Sequence, residues 1–326
     1  MRILYIGEPQ THEKYLKGIV PSHWLYGACE MEADGHEIIW EKENSTLNND
    51  LRLVRKYHPD IVFIPNLNLH NHILLLILST LCLYHKPIYA YLHHAPQKLT
   101  GFKAILYRLL FGGLKHIFFL SSLTMSEMVE NQLIKKKNCS IPEWGRDRLF
   151  FDKISIDDQG YFISTGKENR DFDILIEAFK KVGAPLIIMT AKSHLDSNYE
   201  NLKERCKDIP NIQILINENS GDVYPQMLKA MANAKALVCP LRRDRLTYCV
   251  GLSTITDAEA LHKPLIITRN PYHDKERIKD FHVVETVEDW INAINDISSK
   301  KYPTSFLDSP VSIQEAYKNM KKKMFL

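Results

Sequence analysis

Short apolar runs recur along this chain, and each is followed by a segment with helical periodicity. That alternation constrains the fold more than any other feature, because successive strands joined by crossover helices form parallel α/β layers. In the first half the predicted strands are Ile3–Ile6, His36–Trp40, Ile61–Ile64, Ile88–Leu92 and Ile117–Leu120. The predicted helices between and after them are Ser22–Ala33, Leu47–Tyr57, His72–Tyr84, Phe102–Phe111 and Ser126–Lys135. The second half restarts the rhythm. Its predicted strands are Gly160–Ser164, Leu186–Thr190, Ile212–Ile216, Ala236–Cys239 and Leu265–Thr268, and its helices are Asp171–Val182, Asn198–Cys206, Val223–Ala232, Thr254–Leu261 and Val287–Ser298.

The two runs are separated by the polar stretch Asp152–Gly160, which reads as a linker. The expectation is an N-terminal Rossmann-like domain over 1–155, a second over 156–305, and a C-terminal helix within 306–326 that packs back on the first domain. Two doubly wound domains of this size bind ligands in a crevice at the carboxyl ends of their strands, so a cleft between them is expected. The length, 326 residues, suits two domains. Lys plus Arg is 42 against 39 Asp plus Glu, a balance unlike that of a dedicated nucleic-acid binder. The six cysteines include no CxxC pair, so neither a zinc site nor a disulfide framework is read, and a reducing cytoplasmic setting is expected. MRILYIGEP enters a strand directly without the features of a signal peptide. The longest apolar run, Ile73–Leu83, is shorter than the ~20 residues of a membrane span.

Two segments carry the chemistry. In YFISTGKENRDFDILIEAF (161–179) a strand ends at Ser164, Thr165 and Gly166, and Lys167 and Arg170 follow before a helix. A small-residue turn with two cations at a helix entrance suits a phosphate; an ordinary βα turn with solvated basic residues fits the same pattern. In CPLRRDRLTYCVGLSTITDAEALHKPLIITR (239–269), Gly251, Leu252, Ser253 and Thr254 open a helix with Ser253 as its expected N-cap. Free N–H groups behind such a cap suit a diphosphate. Asp257, one turn on, lies within reach of a ribose hydroxyl, or serves only the helix dipole. Arg242, Arg243 and Arg245 form a second basic cluster, either a donor or acceptor contact or a solvated loop.

Together these residues resemble the donor domain of GT-B-fold glycosyltransferases, close to glycosyltransferase family 4. The matching stretches are GKENRDFDILIEAF (166–179), ALVCPL (236–241) and GLSTITDAEALHKPLIIT (251–268). In the first half, PIYAYLHHAP (87–96) is similar to the strand ending in the family's catalytic-region histidine, and SIPEWGRDRLFF (140–151) to its "IPNGVD" segment. The resemblance implies a transferase that moves a sugar from a nucleotide diphosphate sugar to a glycan or lipid-linked acceptor, in cell-surface polysaccharide synthesis. It implies diphosphate neutralisation by Lys167 and Arg170, ribose binding by Asp257, and His93 at the reacting face with His94 beside it. It also implies no metal and no cofactor, the nucleotide sugar being a co-substrate. Two departures stand out. Cys249 and Asp257 occupy the positions of the family's paired Glu residues, and Gly7-Glu8-Pro9-Gln10 replaces its Gly-Gly acceptor loop. A sugar-nucleotide epimerase or hydrolase on the same fold, or a non-catalytic nucleotide- or glycan-binding subunit, is the alternative.

Asp171-Phe172-Asp173 spells an Asp-x-Asp, but Asp171 opens a helix, where a carboxylate serves the free N–H groups. Two segments suggest peripheral contact with the inner face of a membrane: Lys98–Lys115, and the C-terminal SIQEAYKNMKKKMFL, whose Ile313, Tyr317, Met320 and Met324 line one side. Packing against the protein with a solvated lysine face is the other reading of both.

Overall fold

The computed structural model describes residues 1–41, 49–97, 99–191, 201–217, 223–300 and 311–325. The chain forms two compact units, Met1–Asp147 with Val311–Leu326, and Arg148–Pro310. The division therefore precedes the linker read at Asp152–Gly160. That stretch is tied into the second unit: the Asp157 and Gln159 N–H groups donate to the carbonyls of Ala232 and Asn233 at 3.0 and 2.9 Å. Leu47, Lys98, the first residues of the Asn198–Cys206 helix and 306–310 of the C-terminal segment lie outside the described residues.

The first unit is a parallel sheet of β1 (Arg2–Tyr5), β2 (Glu37–Trp40), β3 (Ile61–Ile64), β4 (Ile88–Leu92), β5 (His116–Phe119) and β6 (Cys139–Ser140), in the order β2-β1-β3-β4-β5-β6. Its crossovers carry α1 (Pro9–Leu16), α2 (Ala28–Ala33), α3 (Asn49–Tyr57), α4 (Leu69–Thr80), α5 (Gly101–Gly112) and α6 (Ser122–Glu130). Side chains alternate faces along each strand. Leu4, Ile6, Val62, Ile64, Ala90 and Leu92 pack with α3 to α6, whereas Ile3, Tyr5, Phe63, Tyr91 and Phe118 face the other way. The helix expected over Ser22–Ala33 is interrupted: a 3-10 turn over Ser22–Leu25 ends in left-handed Tyr26 and Gly27, and α2 starts only at Ala28.

The second unit contains α7 (Arg148–Phe151), β7 (Phe162–Thr165), α8 (Phe172–Val182), β8 (Leu186–Ala191), α9 (Leu202–Cys206), β9 (Ile212–Asn217), α10 (Val223–Ala232), β10 (Ala236–Cys239), α11 (Leu252–Ala260), β11 (Leu265–Thr268), α12 (Lys275–Ile278), β12 (His282–Val284) and α13 (Val287–Ser299). Its parallel strands run β12-β11-β10-β7-β8-β9. The strand order reverses between β7 and β10, the switch point where doubly wound sheets open a crevice at their carboxyl edge. α8 shows how sequence sets these elements. Asp171 caps it by accepting from the Ile174 N–H at 3.3 Å, Gly183 ends it at φ +78°, and Phe172, Leu175, Ile176 and Phe179 are buried on its inner face. Each such side chain contributes about 1.5–3 kcal/mol on burial.

The chain returns to the first unit as α14 (Ile313–Met324). Ile313, Ala316, Tyr317, Met320 and Met324 are buried, and Tyr317, Met320 and Met324 cover Tyr5, Tyr91 and Phe118 on the face that α3 to α6 leave open. Gly145 lets the returning segment in, since a Cβ there would lie 2.6 Å from the Val311 backbone.

Candidate functional site

At the carboxyl edge of the second sheet, the loops leaving β7 and β10 are joined across the switch point. Arg170 and Leu241 form an antiparallel bridge, with the Arg242 N–H donating to the Asn169 carbonyl and the Asp171 N–H to the Pro240 carbonyl, each at 3.1 Å. The β7 loop is folded tightly. Gly166 sits at φ +95°, where a Cβ would lie 2.5 Å from the Arg170 guanidinium, so only glycine fits. Thr190, at the end of β8, donates its hydroxyl to the Gly166 carbonyl at 3.0 Å.

Arg170 is largely engaged within its own turn. Its guanidinium is buried and donates to the Thr165 carbonyl through Nε (3.3 Å) and Nη2 (3.2 Å), and to the Glu168 carbonyl through Nη1 (2.8 Å). A fork with five N–H donors thus spends three of them bracing its own loop. Lys167 is half-buried on the same turn.

The start of α11 also differs from expectation. Gly251, at φ +93° and ψ −5°, is the N-cap, and no side chain caps the helix; Ser253 is exposed within the first turn. Glycine is favoured here by its positive φ, and a Cβ would also be tight, 3.2 Å from Cys239 Sγ and 3.4 Å from Leu241 Cδ1. The N-terminal turn of α11, with Leu252, Ser253 and Thr254, therefore rests on the end of β10, beside the residue that bridges Arg170. An uncapped helix start presents N–H groups and a positive dipole end to an anion. Behind it, Asn270 Nδ2 donates to the carbonyls of Tyr248 (2.9 Å) and Val250 (3.2 Å), and His273 Nε2 meets the Val250 carbonyl at 2.8 Å. These residues after β11 fix the approach to the helix. Burial pushes the His273 imidazole down to about 4, so it is neutral and donates through Nε2.

Asp257 lies in the second turn of α11 and is 8% exposed. The Tyr224 hydroxyl, from α10, donates to Asp257 Oδ1 at 3.0 Å. Burial pushes the carboxyl up to about 7, against the lowering effect of that hydroxyl. Tyr224 was not legible in VYPQMLKAM, which reads as an ordinary amphipathic helix; the contact exists only once α10 and α11 are packed. The arginine cluster largely engages acids instead. Arg242 and Arg245 lie 3.6 and 3.9 Å from Asp244, and Arg243 lies 2.7 Å from Glu285, which also pairs with Arg269. Exposed pairs of this kind contribute about 0–1 kcal/mol each.

In the first unit, His93 follows β4 and is half-buried, while His94 is exposed. His93 Nε2 stands 3.2 Å from the Pro65 carbonyl, an acceptor, so Nε2 carries the proton and Nδ1 keeps its lone pair. Burial, with His94 adding to it, pushes His93 down to about 4. Its ring is 5.4 Å from Tyr26, which in turn lies 6.0 Å from Trp144. Glu30, bonded by Ser22 Oγ (3.4 Å) and Gln314 Nε2 (3.3 Å), is pushed up to about 7 by burial, with Asp147 adding to the effect. Sequence reasoning overlooked Glu30, which carries no local motif. Among the described residues no group of three His, Cys, Asp or Glu is gathered as a metal site, and Asp171 is engaged as a cap.

No family model and no curated protein matches the chain. Solved structures do. AviGT4, a glycosyltransferase involved in avilamycin A biosynthesis, is 9% identical over 99% of this chain and 97% of its own, with a TM-score of 0.63. A Neisseria meningitidis UDP-GlcNAc 2-epimerase bound to UDP-GlcNAc is 12% identical over 99% of each chain, at 0.56. S. aureus MnaA, solved with UDP, is 11% identical over 98% of this chain and 94% of its own, at 0.57. At these identities the likeness establishes the fold: two Rossmann-like units of the GT-B type, a fold that hosts both glycosyltransferases and UDP-GlcNAc 2-epimerases.

Proposed function

We propose that this protein is a glycosyltransferase that takes a sugar from a nucleotide diphosphate sugar and passes it to a hydroxyl of a glycan or lipid-linked acceptor in polysaccharide synthesis. The observation that carries the reading is the pair of loops at the β7/β10 switch point, with the uncapped start of α11 lodged against them. The N–H groups of Ser253 and Thr254, with Lys167, neutralise the diphosphate as it leaves, the Leu252 N–H being taken by the Cys249 carbonyl at 3.1 Å; charge stabilisation of that group is the main electrostatic task of the transfer. Arg170 holds the loop in register for this and offers its remaining donors. Asp257, oriented by Tyr224, accepts from a ribose hydroxyl. In the first unit, His93 Nδ1 accepts from the acceptor hydroxyl or orients it. No divalent metal is required, since fixed cations and a helix start do its work.

Glu30 supports a second reading. A carboxyl held near neutrality suits proton transfer, as a sugar-nucleotide epimerase or hydrolase would need. Incubation with a panel of UDP- and GDP-sugars, with and without oligosaccharide or lipid-linked acceptors and in EDTA, separates the two. The transferase reading requires nucleoside diphosphate release that depends on acceptor and survives EDTA. Epimerised or hydrolysed sugar without acceptor would replace it with the second reading.

A further inference from the structure

The structure separates the two basic segments that the sequence grouped together. The apolar side of α14 is buried in the first unit, with Lys321 and the Tyr317 hydroxyl both on Asp34 at 2.6 Å, so that side has nothing left to offer a membrane. α5 is different. Phe102, Ile105 and Leu109, at i, i+3 and i+7, form one stripe on its outer face and are 78%, 60% and 38% exposed. Its inner face is the one in use: Leu110 and Phe111 are buried in the core.

Further exposed apolar residues lie where α4 ends against α5. Thr80 Oγ1 donates to the Leu109 carbonyl and Ser79 Oγ to the Gly113 carbonyl, both at 2.7 Å, which fastens the ends of α4 and α5 together. Leu81 and Leu83, just past α4, are 58% and 68% exposed. The surroundings are cationic. Residues 66–142 contain eight Lys or Arg and only two acids, Glu127 and Glu130, in a chain that is otherwise nearly balanced, though Lys86 lies 3.7 Å from Asp60, outside that stretch. Lys103 is exposed on α5 itself, and Lys115 just after it. Arg108 reaches the Asn131 carbonyl at the end of α6 (3.5 Å), and exposed Lys135, Lys136 and Lys137 follow there.

We propose that this face, the outer stripe of α5 with Leu81 and Leu83 inside a rim of lysines, docks the first unit on an anionic lipid surface. Predominantly positive charge around a narrow apolar ridge is the complement of a bilayer with acidic headgroups: the ridge enters the interface while the basic side chains meet phosphates. Among the described residues no helix is long and apolar enough to cross a membrane, so the association is peripheral.

Co-sedimentation of the full chain with vesicles of phosphatidylcholine alone, or mixed with phosphatidylglycerol, tests this. Binding is expected only to the mixed vesicles and is expected to fall as salt screens the rim. Phe102→Ser with Ile105→Ser should lower partitioning at least about tenfold, from the apolar area lost. Lys135→Gln, Lys136→Gln and Lys137→Gln should each cost about fivefold. All these residues are exposed, so melting temperatures should match the parent. Absence of binding to anionic vesicles, binding equal in both lipids, or binding unchanged in all four variants would overturn the proposal. So would concentration-dependent dimerisation without lipid that the Phe102/Ile105 variant abolishes, which would make the face a protein interface.

Discussion

Asp257 is where the fold works against its own stability. A carboxyl of ordinary value 3.8, raised to about 7, binds its proton more tightly folded than unfolded. Its contribution is therefore fully present below about 3.8 and is lost as pH rises through about 7. Above that range the buried charge costs up to ~4 kcal/mol, from about three units at 1.36 kcal/mol each. Asp257→Asn should consequently raise the melting temperature more at pH 8 than at pH 5, while weakening any ligand that uses the ribose hydroxyls. Thermal melts at the two pH values check this; equal shifts would mean the carboxyl titrates normally. Arg170 is understood the same way, from its surroundings. Lysine cannot reproduce a planar fork that bonds two carbonyls at once, so a shared positive charge does not make the two residues equivalent there.

At the scale of elements, most strands could be read directly, because an apolar run between turn residues has few other uses. β6 and β12 could not: they span only Cys139–Ser140 and His282–Val284, too short to carry a pattern. α1 was hidden for another reason. None of its residues is buried, so PQTHEKYL shows no apolar stripe. The start of α11 was misjudged by one local rule overriding another. Ser253 is a good N-cap residue, but Gly251 alone accepts φ +93° against Cys239, and it sets the boundary. The candidate site was legible where it consists of turn chemistry, at Gly166, Lys167 and Gly251. Tyr224, Thr190 and Asn270 meet it only through tertiary packing and left no local trace. Gly251→Ala should cost about 1–3 kcal/mol in strain and displace the helix start. Denaturant unfolding reads the first effect and nucleotide titration the second; a variant with parental stability and affinity would show that the turn is not under this constraint.

For the molecule as a whole, the two sheets share parallel winding but differ in order, and the second unit keeps the switch point of a dinucleotide-type sheet. The first unit is completed only by α14, which covers a face lined with Tyr5, Tyr91 and Phe118. Gly145→Ala, placing a methyl 2.6 Å from the Val311 backbone, should loosen that returning segment. Limited proteolysis should then remove the C-terminal helix faster than from the parent, and unchanged cleavage would contradict its anchoring through Gly145.

Calorimetric titration decides whether the second unit recognises a nucleotide. Nucleoside diphosphates of uracil and guanine, and the matching nucleosides, would be titrated into the parent protein, Lys167→Ala and Asp257→Ala. At least one diphosphate should bind the parent. Lys167→Ala should weaken that diphosphate roughly ten- to a hundredfold, in line with ~1.5–3 kcal/mol for a charged hydrogen bond, and leave its nucleoside nearly unaffected. Asp257→Ala should weaken both, since the ribose is common to them. Folded variants that bind the diphosphate as tightly as the parent, or a parent that binds none, would contradict the placement of the donor site at the β7/β10 edge.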